Sequence, residues 1–549
     1  MFDEIIERWK RFNPGLCHGL GIHDFDGEIS DLSPPSITKR IQEIESDLKS
    51  LSAIPEPTNQ TEKYEYNLII SALNIELYEL RDRKEYLESP LPYIFGFFSP
   101  LTSIENSYTM RSFAPLDERI KSIIKLESNF PKYLQQAQGN LKDATFSKAA
   151  CSFALDMMSG LISYYTDELI SFVSKTEDTQ LLDQWSKSNE DAVDALKSFN
   201  QFLNKKMETA SDNFALGKET FLEMLEKTEG VKSTVEDLLR IGERDLERNY
   251  KELHSIADKT HNGDVQALLD ETFSDFPKPE DLISYAEETL ERTKNFLVQN
   301  SIVSIPSDQQ CKVIHTPKSA RKFAFAAMNT PGPFEVPEAS EAYYWVTPPD
   351  PNWDTEKTTG FMKLFNKASM ESITIHEVWP GHYLQLLFSN KTESTIAKLY
   401  AYSYAMIEGW AHYTEEMIYD EGYEPFDRSK YKIGQLLEAL IRNVRFVCAI
   451  NLHCNGMTLE EATKLFVDKG FLSEENAYIE ARRGTVDPMY LNYTLGKLMI
   501  MQLREEYKAE LGESYSLKKF HDTLLSFGSP PITVLRKMML KNPSDKIVG

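Results

Sequence analysis

Between Tyr64 and Leu87 the chain sets Tyr66, Leu68, Ile69, Leu73, Ile75 and Leu77 among charged residues, the mark of a helix with one apolar face. Similar patterns predict helices over about 37–52, 60–88, 116–137, 146–174, 182–208, 234–258 and 278–299. Ser233-Thr234-Val235-Glu236 reads as a capping box at the head of the sixth. The pattern changes between about 301 and 350. There Val303 and Ile305, Val313 and Ile314, Phe323-Ala324-Phe325-Ala326 and Tyr343-Tyr344-Trp345-Val346 read as short strands, with Pro and Gly between them. After 356 the helical pattern returns and holds to the end. One of its runs, from about Thr395 to Asp420, carries Ile396, Leu399, Tyr400, Ile407 and Ala411.

This order predicts a mostly α protein: a large two-lobed helical body with a small β-sheet ahead of the helix that carries the chemistry. The expected division is an N-terminal helical lobe over 1–300, short strands at the junction over 301–350, and a C-terminal helical lobe over 351–549. An edge strand in the junction can bind a peptide as an added strand, or simply bridge the lobes.

The chemistry begins at Ile375-His376-Glu377-Val378-Trp379-Pro380-Gly381-His382. Neutral imidazoles hold zinc, and a carboxylate beside the first ligand can take a proton from water. On a regular helix His376 and His382, at i and i+6, stand about 240° apart and cannot meet at one ion. Pro380 lacks an N–H and Gly381 tolerates unusual backbone angles, so together they can break the helix and swing His382 back. A third ligand is available in Glu408. His412 and Glu415 share its helix face, at i+4 and i+7, and suit a role in orienting the ligands.

Composition narrows the partners. The formal net charge of -25 argues against nucleic acid or an anionic membrane surface. Five scattered cysteines without a CxxC pair suggest a reducing compartment. The acidic start Met1-Phe2-Asp3-Glu4 lacks the basic region of a signal peptide. These features predict a cytoplasmic protein with no membrane partner.

His-Glu-x-x-Pro-Gly-His followed by Glu-Gly-Trp-Ala-x-Tyr-x-Glu resembles the domain-of-unknown-function family 885, which is assigned to the zincin group of metallopeptidases. The resemblance extends to Arg442-Asn443-Val444-Arg445 with His453 downstream, and to Arg483 with Asp487-Pro488-Met489-Tyr490-Leu491-Asn492-Tyr493-Thr494-Leu495-Gly496. Near the start, Leu20-Gly21-Ile22-His23-Asp24-Phe25-Asp26-Gly27 resembles the family's opening signature. The chain departs from the pattern at Met489 and Tyr490, where the family has Gly-Gln, and at Ala449 and Asn451, where it has Asp and Gly.

The resemblance implies one Zn2+ per chain on His376, His382 and Glu408, with Glu377 as general base and short peptides as substrates. Tyr493 is the candidate donor to the oxyanion, with Tyr490 the alternative. His453 is either a second donor or a core residue. Arg442, Arg445 and Arg483 are either clamps for a peptide carboxylate or partners of internal acids such as Glu438 and Glu480. The other functional readings are a metal-dependent amidohydrolase acting on a non-peptide amide, and a catalytically silent peptide-binding protein.

Overall fold

The computed structural model describes residues 1–95, 99–322, 325–426, 428–544 and 548. Helix makes up 71% of the chain, which places it in the mostly α class. The Cα trace separates into two compact units.

The first unit comprises Met1–Phe214 with Pro331–Glu341. Its long helices are Pro34–Ser52, Gln60–Leu77, Leu116–Leu141, Lys148–Ser163 and Thr179–Met207. Leu116–Leu141 and Thr179–Met207 pair through apolar stripes, Ile120, Ile123, Phe130 and Leu134 on one and Leu181, Leu196, Phe199 and Leu203 on the other. Two of the expected helices are interrupted. The one expected over 60–88 ends its regular coil at Leu77 and widens into a π-turn over Tyr78–Arg83. The one expected over 146–174 is broken by a π-turn at Tyr164–Glu168. Apolar spacing alone does not register an inserted residue of this kind.

The opening signature has a structural role in this unit. Phe334 N–H donates to the Leu20 carbonyl, and His23 Nε2 lies 3.0 Å from Glu335 Oε1. Gly21, at φ +82°, passes so close to Glu335 that a Cβ would meet its backbone N at 2.4 Å. Arg111 Nη1 donates to the carbonyls of Ala339 and Glu341. These bonds hold 331–341 against the N-terminal residues.

The second unit comprises Ala215–Thr330 with Ala342–Gly549. The two units divide at 214, where the sequence pattern suggested 300, and 331–341 returns to the first unit. The reason lies in helix Val235–Thr260, which packs along Arg428–Cys454. Leu253, Ala257, Leu268 and Leu269 share a core with Ile433, Leu436, Leu437 and Leu440. Gly242 admits the Phe446 ring, which a Cβ would meet at 2.2 Å. Asn249 Nδ2 donates to Asn443 Oδ1 at 2.7 Å, and Asn443 Nδ2 to Asp245 Oδ2 at 2.9 Å. Thr234, not Ser233, caps this helix, accepting from the Asp237 N–H.

Among the described residues the sheet has three strands in the order β1-β3-β2: β1 Cys311–His315 runs parallel to β3 Ala342–Val346, and β2 Ala326–Asn329 runs antiparallel to it. Val303 and Ile305 lie outside it. Of the expected strand at 323–326, Phe323 and Ala324 lie outside the described residues, and β2 begins at Ala326. The helices Lys367–Glu377, His382–Lys391, Tyr404–Asp420, Arg428–Cys454 and Asn492–Leu511 follow and carry the candidate site. Among the described residues no helix is long and apolar enough to cross a membrane.

Candidate metal centre

Helix Lys367–Glu377 stops directly after the His-Glu pair, and a new helix begins at His382. The Trp379–Pro380 peptide between them is cis. Gly381 has φ -70° and ψ -133°, so its place does not depend on left-handed backbone. It depends on space. A Cβ there would lie 1.8 Å from the His376 carbonyl oxygen. The Trp410 indole N–H donates to the Pro380 carbonyl at 2.8 Å and fixes the turn from the other side.

The run expected to be one helix from Thr395 is two, Thr395–Tyr400 and Tyr404–Asp420. Ser403 caps the second through the Met406 N–H. Glu229, from helix Lys218–Glu229, accepts from Ser403 Oγ and from the Ala405 N–H. Farther along, Gly409 and Gly496 meet backbone to backbone: a Cβ on Gly409 would lie 2.5 Å from Gly496 Cα. This crossing seats the Glu408 helix against the Tyr493 helix.

The result is a closed cluster of three side chains. Glu408 Oε2 lies 3.4 Å from His376 Nε2 and 3.4 Å from His382 Nε2. The two rings stand at 83° with centroids 4.8 Å apart. Glu408 Oε2 is buried and has no hydrogen-bond partner among the described residues. Tetrahedral ligands at 2.0–2.1 Å from zinc stand about 3.3–3.4 Å from one another. Both carboxylate–imidazole separations have that spacing, all three side chains bring a ligand atom within 4.8 Å of the others, and their chemistry suits the ion, so they fit it. Burial opposes charge on Glu408, yet the His382 and His376 imidazoles outweigh it and hold its carboxyl well below the usual range.

Around this cluster Glu415 takes Nδ1 of His376 at 2.7 Å. Ser372 Oγ donates to its other oxygen at 3.2 Å, and Arg442 Nη2 lies 3.4 Å from the first. Burial opposes charge on Glu415 too, but Arg442 and the neighbouring imidazoles keep it ionised. His412 Nδ1 lies 3.5 Å from Glu415, long for a hydrogen bond. Burial pushes its pKa down to about 4, so it is neutral.

Glu377 ends its helix half-exposed and makes no hydrogen bond or ion pair with any described residue. Burial first, and then the Glu377 charge, push the Cys311 thiol on β1 up to about 12. Tyr493 stacks on His376 at 6.2 Å. Burial and the Glu408 charge raise its pKa, against Arg483 and Arg445. Tyr490, in the turn Pro488–Leu491, is wholly buried against Gly484, away from solvent. His453 is also a core residue: its Nε2 pairs with the Gly484 carbonyl and its ring stacks on Phe221.

Each arginine has an internal carboxylate. Arg442 Nη1 donates to Glu438 at 2.8 Å, Arg445 forms a two-pronged pair with Glu480 at 2.7 and 2.8 Å, and Arg483 pairs with Asp487 at 2.9 Å. Residues around the site that the sequence pattern does not single out include Ser372 and Glu229. Ser372 stands four before His376, so its face was legible. Glu229 stands far upstream and carries no local signal.

Two solved structures share the fold. One is titled as a putative lipoprotein of unknown function from Shewanella oneidensis, 25% identical, covering 98% of each chain with a TM-score of 0.81. The other, described as a putative lipoprotein from Colwellia psychrerythraea, is 18% identical over 96% of this chain and 95% of that one, with a TM-score of 0.80. No curated protein matches the sequence. The family model described as "Bacterial protein of unknown function (DUF885)" matches residues 14–539, and the chain belongs to that family.

Proposed function

We propose that the protein is a zinc-dependent metallopeptidase of the zincin kind that hydrolyses short peptides. The observation that carries this reading is the buried Glu408 Oε2, 3.4 Å from both imidazole Nε2 atoms, with Glu377 unpaired one residue beyond His376. His376, His382 and Glu408 would hold the ion, which supplies Lewis acidity towards water and a carbonyl. Glu377 takes the proton of the attacking water at its carboxylate and returns it to the leaving amine nitrogen. Glu415 accepts from Nδ1–H of His376, leaving the Nε2 lone pair for the ion. Tyr493 donates its phenolic proton to the developing oxyanion. A peptide suits the site because β1, whose Cys311 senses the Glu377 charge, is an edge strand with backbone groups to offer.

The five free thiols favour a reducing compartment, in keeping with a cytoplasmic location. The lipoprotein titles of the two structural relatives point to the envelope instead, and cell fractionation decides between them.

The test is digestion of a mixed peptide library by the zinc-loaded protein, read by mass spectrometry. Cleavage by the wild type and none by Glu377→Gln, at equal zinc content, is the expected result. An intact library after prolonged incubation with the wild type rules the reading out.

A further inference from the structure

The helix Tyr404–Asp420 is buried from Ala405 through Ile418 at every position but two, Ile407 and Glu408. With Tyr404, itself half-exposed, they stand at i, i+3 and i+4 and form one stripe. The face that carries Glu408 therefore also presents an aromatic and a branched aliphatic side chain, both half-exposed. Tyr402, just ahead of the cap residue Ser403, is itself 56% exposed. Its backbone is pinned. Tyr402 pairs with Ser529 in an isolated bridge, and Gly528 packs under Ala401. The surrounding protein pushes the Tyr402 phenol up to about 12, and it feels the charges of Glu408 and Tyr493. The His376 helix has the same construction: from Ala368 to Val378 only Ile373 and Glu377, at i and i+4, are open. On both stripes the single charged group is the one assigned to chemistry; its companions are the aliphatic Ile373 and Ile407 and the Tyr404 ring, whose hydroxyl accepts from Arg483 and donates to Asp487.

We infer that Tyr402, Tyr404 and Ile407 form an apolar subsite beside Glu408 that seats a bulky aromatic or aliphatic side chain next to the bond to be cut. This rests on the peptidase reading and adds a substrate class to it. An exposed large hydrophobic patch normally costs solubility, and a rigid one beside a reactive centre has a use in binding. Burying a Phe or Leu side chain there strengthens binding by about tenfold or more over Gly.

Binding is measured with the full-length, zinc-loaded Glu377→Gln protein, which holds substrate without consuming it. The probes are alanine pentapeptides carrying one Phe, Leu, Asp or Gly at each position in turn, titrated by calorimetry. Phe or Leu at one position should bind about tenfold or more tightly than Gly, with Asp weakest because it meets Glu408 and Glu377. Adding Tyr402→Ala or Ile407→Ala should erase most of that preference, while Tyr402→Phe and Ile407→Val keep it. Equal binding of all peptides, no binding of any, or a preference that survives both alanine variants overturns the subsite. Wild-type cleavage of the same peptides separates the two ideas. Hydrolysis without apolar preference overturns the subsite alone. Apolar preference in binding with no hydrolysis overturns the peptidase reading and leaves the subsite standing.

Discussion

Glu415 holds Nδ1 of His376 at 2.7 Å, from a helix position seven residues beyond Glu408. One helix thus carries both a candidate ligand and the group that orients another. The carboxylate fixes the imidazole's tautomer and ring plane, and Ser372 and Arg442 fix the carboxylate. Outer partners of this kind typically account for ten- to a hundredfold in metal affinity. Glu415→Gln should therefore weaken zinc binding by about that factor while the fold survives, because Arg442 keeps Glu438. Competition with a calibrated zinc chelator measures it. Unchanged affinity would mean that His376 is not a ligand.

Gly381 makes a sharper prediction. Its φ is -70°, so left-handed backbone does not explain the glycine. The explanation is the His376 carbonyl oxygen, 1.8 Å from where a Cβ would stand. Even Gly381→Ala should push the two helix ends apart, separate His382 from His376, and reduce zinc content measured by elemental analysis. Full zinc occupancy in the alanine variant would show that the turn yields without moving His382.

The metal cluster was legible in the sequence because its parts are local: a His-Glu pair, a Pro-Gly insert that cannot continue a helix, and Glu408, His412 and Glu415 at helical spacing. What escaped notice depends on distant partners. Asp245 and Asn249 look like the solvent face of a helix, but they bond Asn443 nearly two hundred residues on. The boundary expected at 300 followed the change from helical to strand pattern there, which carries no sign of these pairings. Glu229 likewise resembles an ordinary acidic helix end, yet it caps the helix that presents Glu408. Arginine pairing fell between the two cases. Glu438 is one turn from Arg442 and could be named as a partner, whereas nothing local chose between that role and substrate binding.

Glu229 also sets a pH dependence. Burial raises its pKa from 4.5 to about 7, against its bonds from Ser403 and the Ala405 N–H. A carboxyl raised on folding contributes stability that is full below its unfolded pKa and lost as pH rises through the folded one. Wild-type stability should thus decline between about pH 4.5 and 7 relative to Glu229→Gln, by at most roughly 3 kcal/mol. Urea melts of both proteins at pH 5 and pH 8 give the difference. Parallel behaviour at the two pH values would mean that Glu229 is ionised throughout.

Tyr493 and Tyr490 are separable by mutation. Tyr493 stacks on His376, while Tyr490 is sealed in the core. On the peptidase reading Tyr493→Phe lowers kcat with KM little changed, because its donor acts in the transition state. Removing an oxyanion donor commonly costs about a hundredfold or more. Tyr490→Phe should alter thermal stability and leave kcat nearly intact. The reverse pattern would transfer the oxyanion role to Tyr490.

The arginines give the last prediction. Arg442 and Arg445 have side chains only 8% and 13% exposed, and each is bonded to a carboxylate of its own chain. Breaking such a pair to reach a substrate would strand a half-buried acid, at a cost of up to about 3–5 kcal/mol. A peptide's terminal carboxylate brings back on the order of 1.5–3 kcal/mol from one charged hydrogen bond, so the exchange is unfavourable. Arg483 is the exception: it is 32% exposed and spends two N–H groups on a single oxygen of Asp487. A cleaved peptide and its C-terminally amidated twin should accordingly be hydrolysed at rates within about tenfold of each other. A larger loss on amidation, abolished by Arg483→Ala and untouched by Arg445→Ala, would assign the terminal carboxylate to Arg483 and make the enzyme a trimmer of peptide ends.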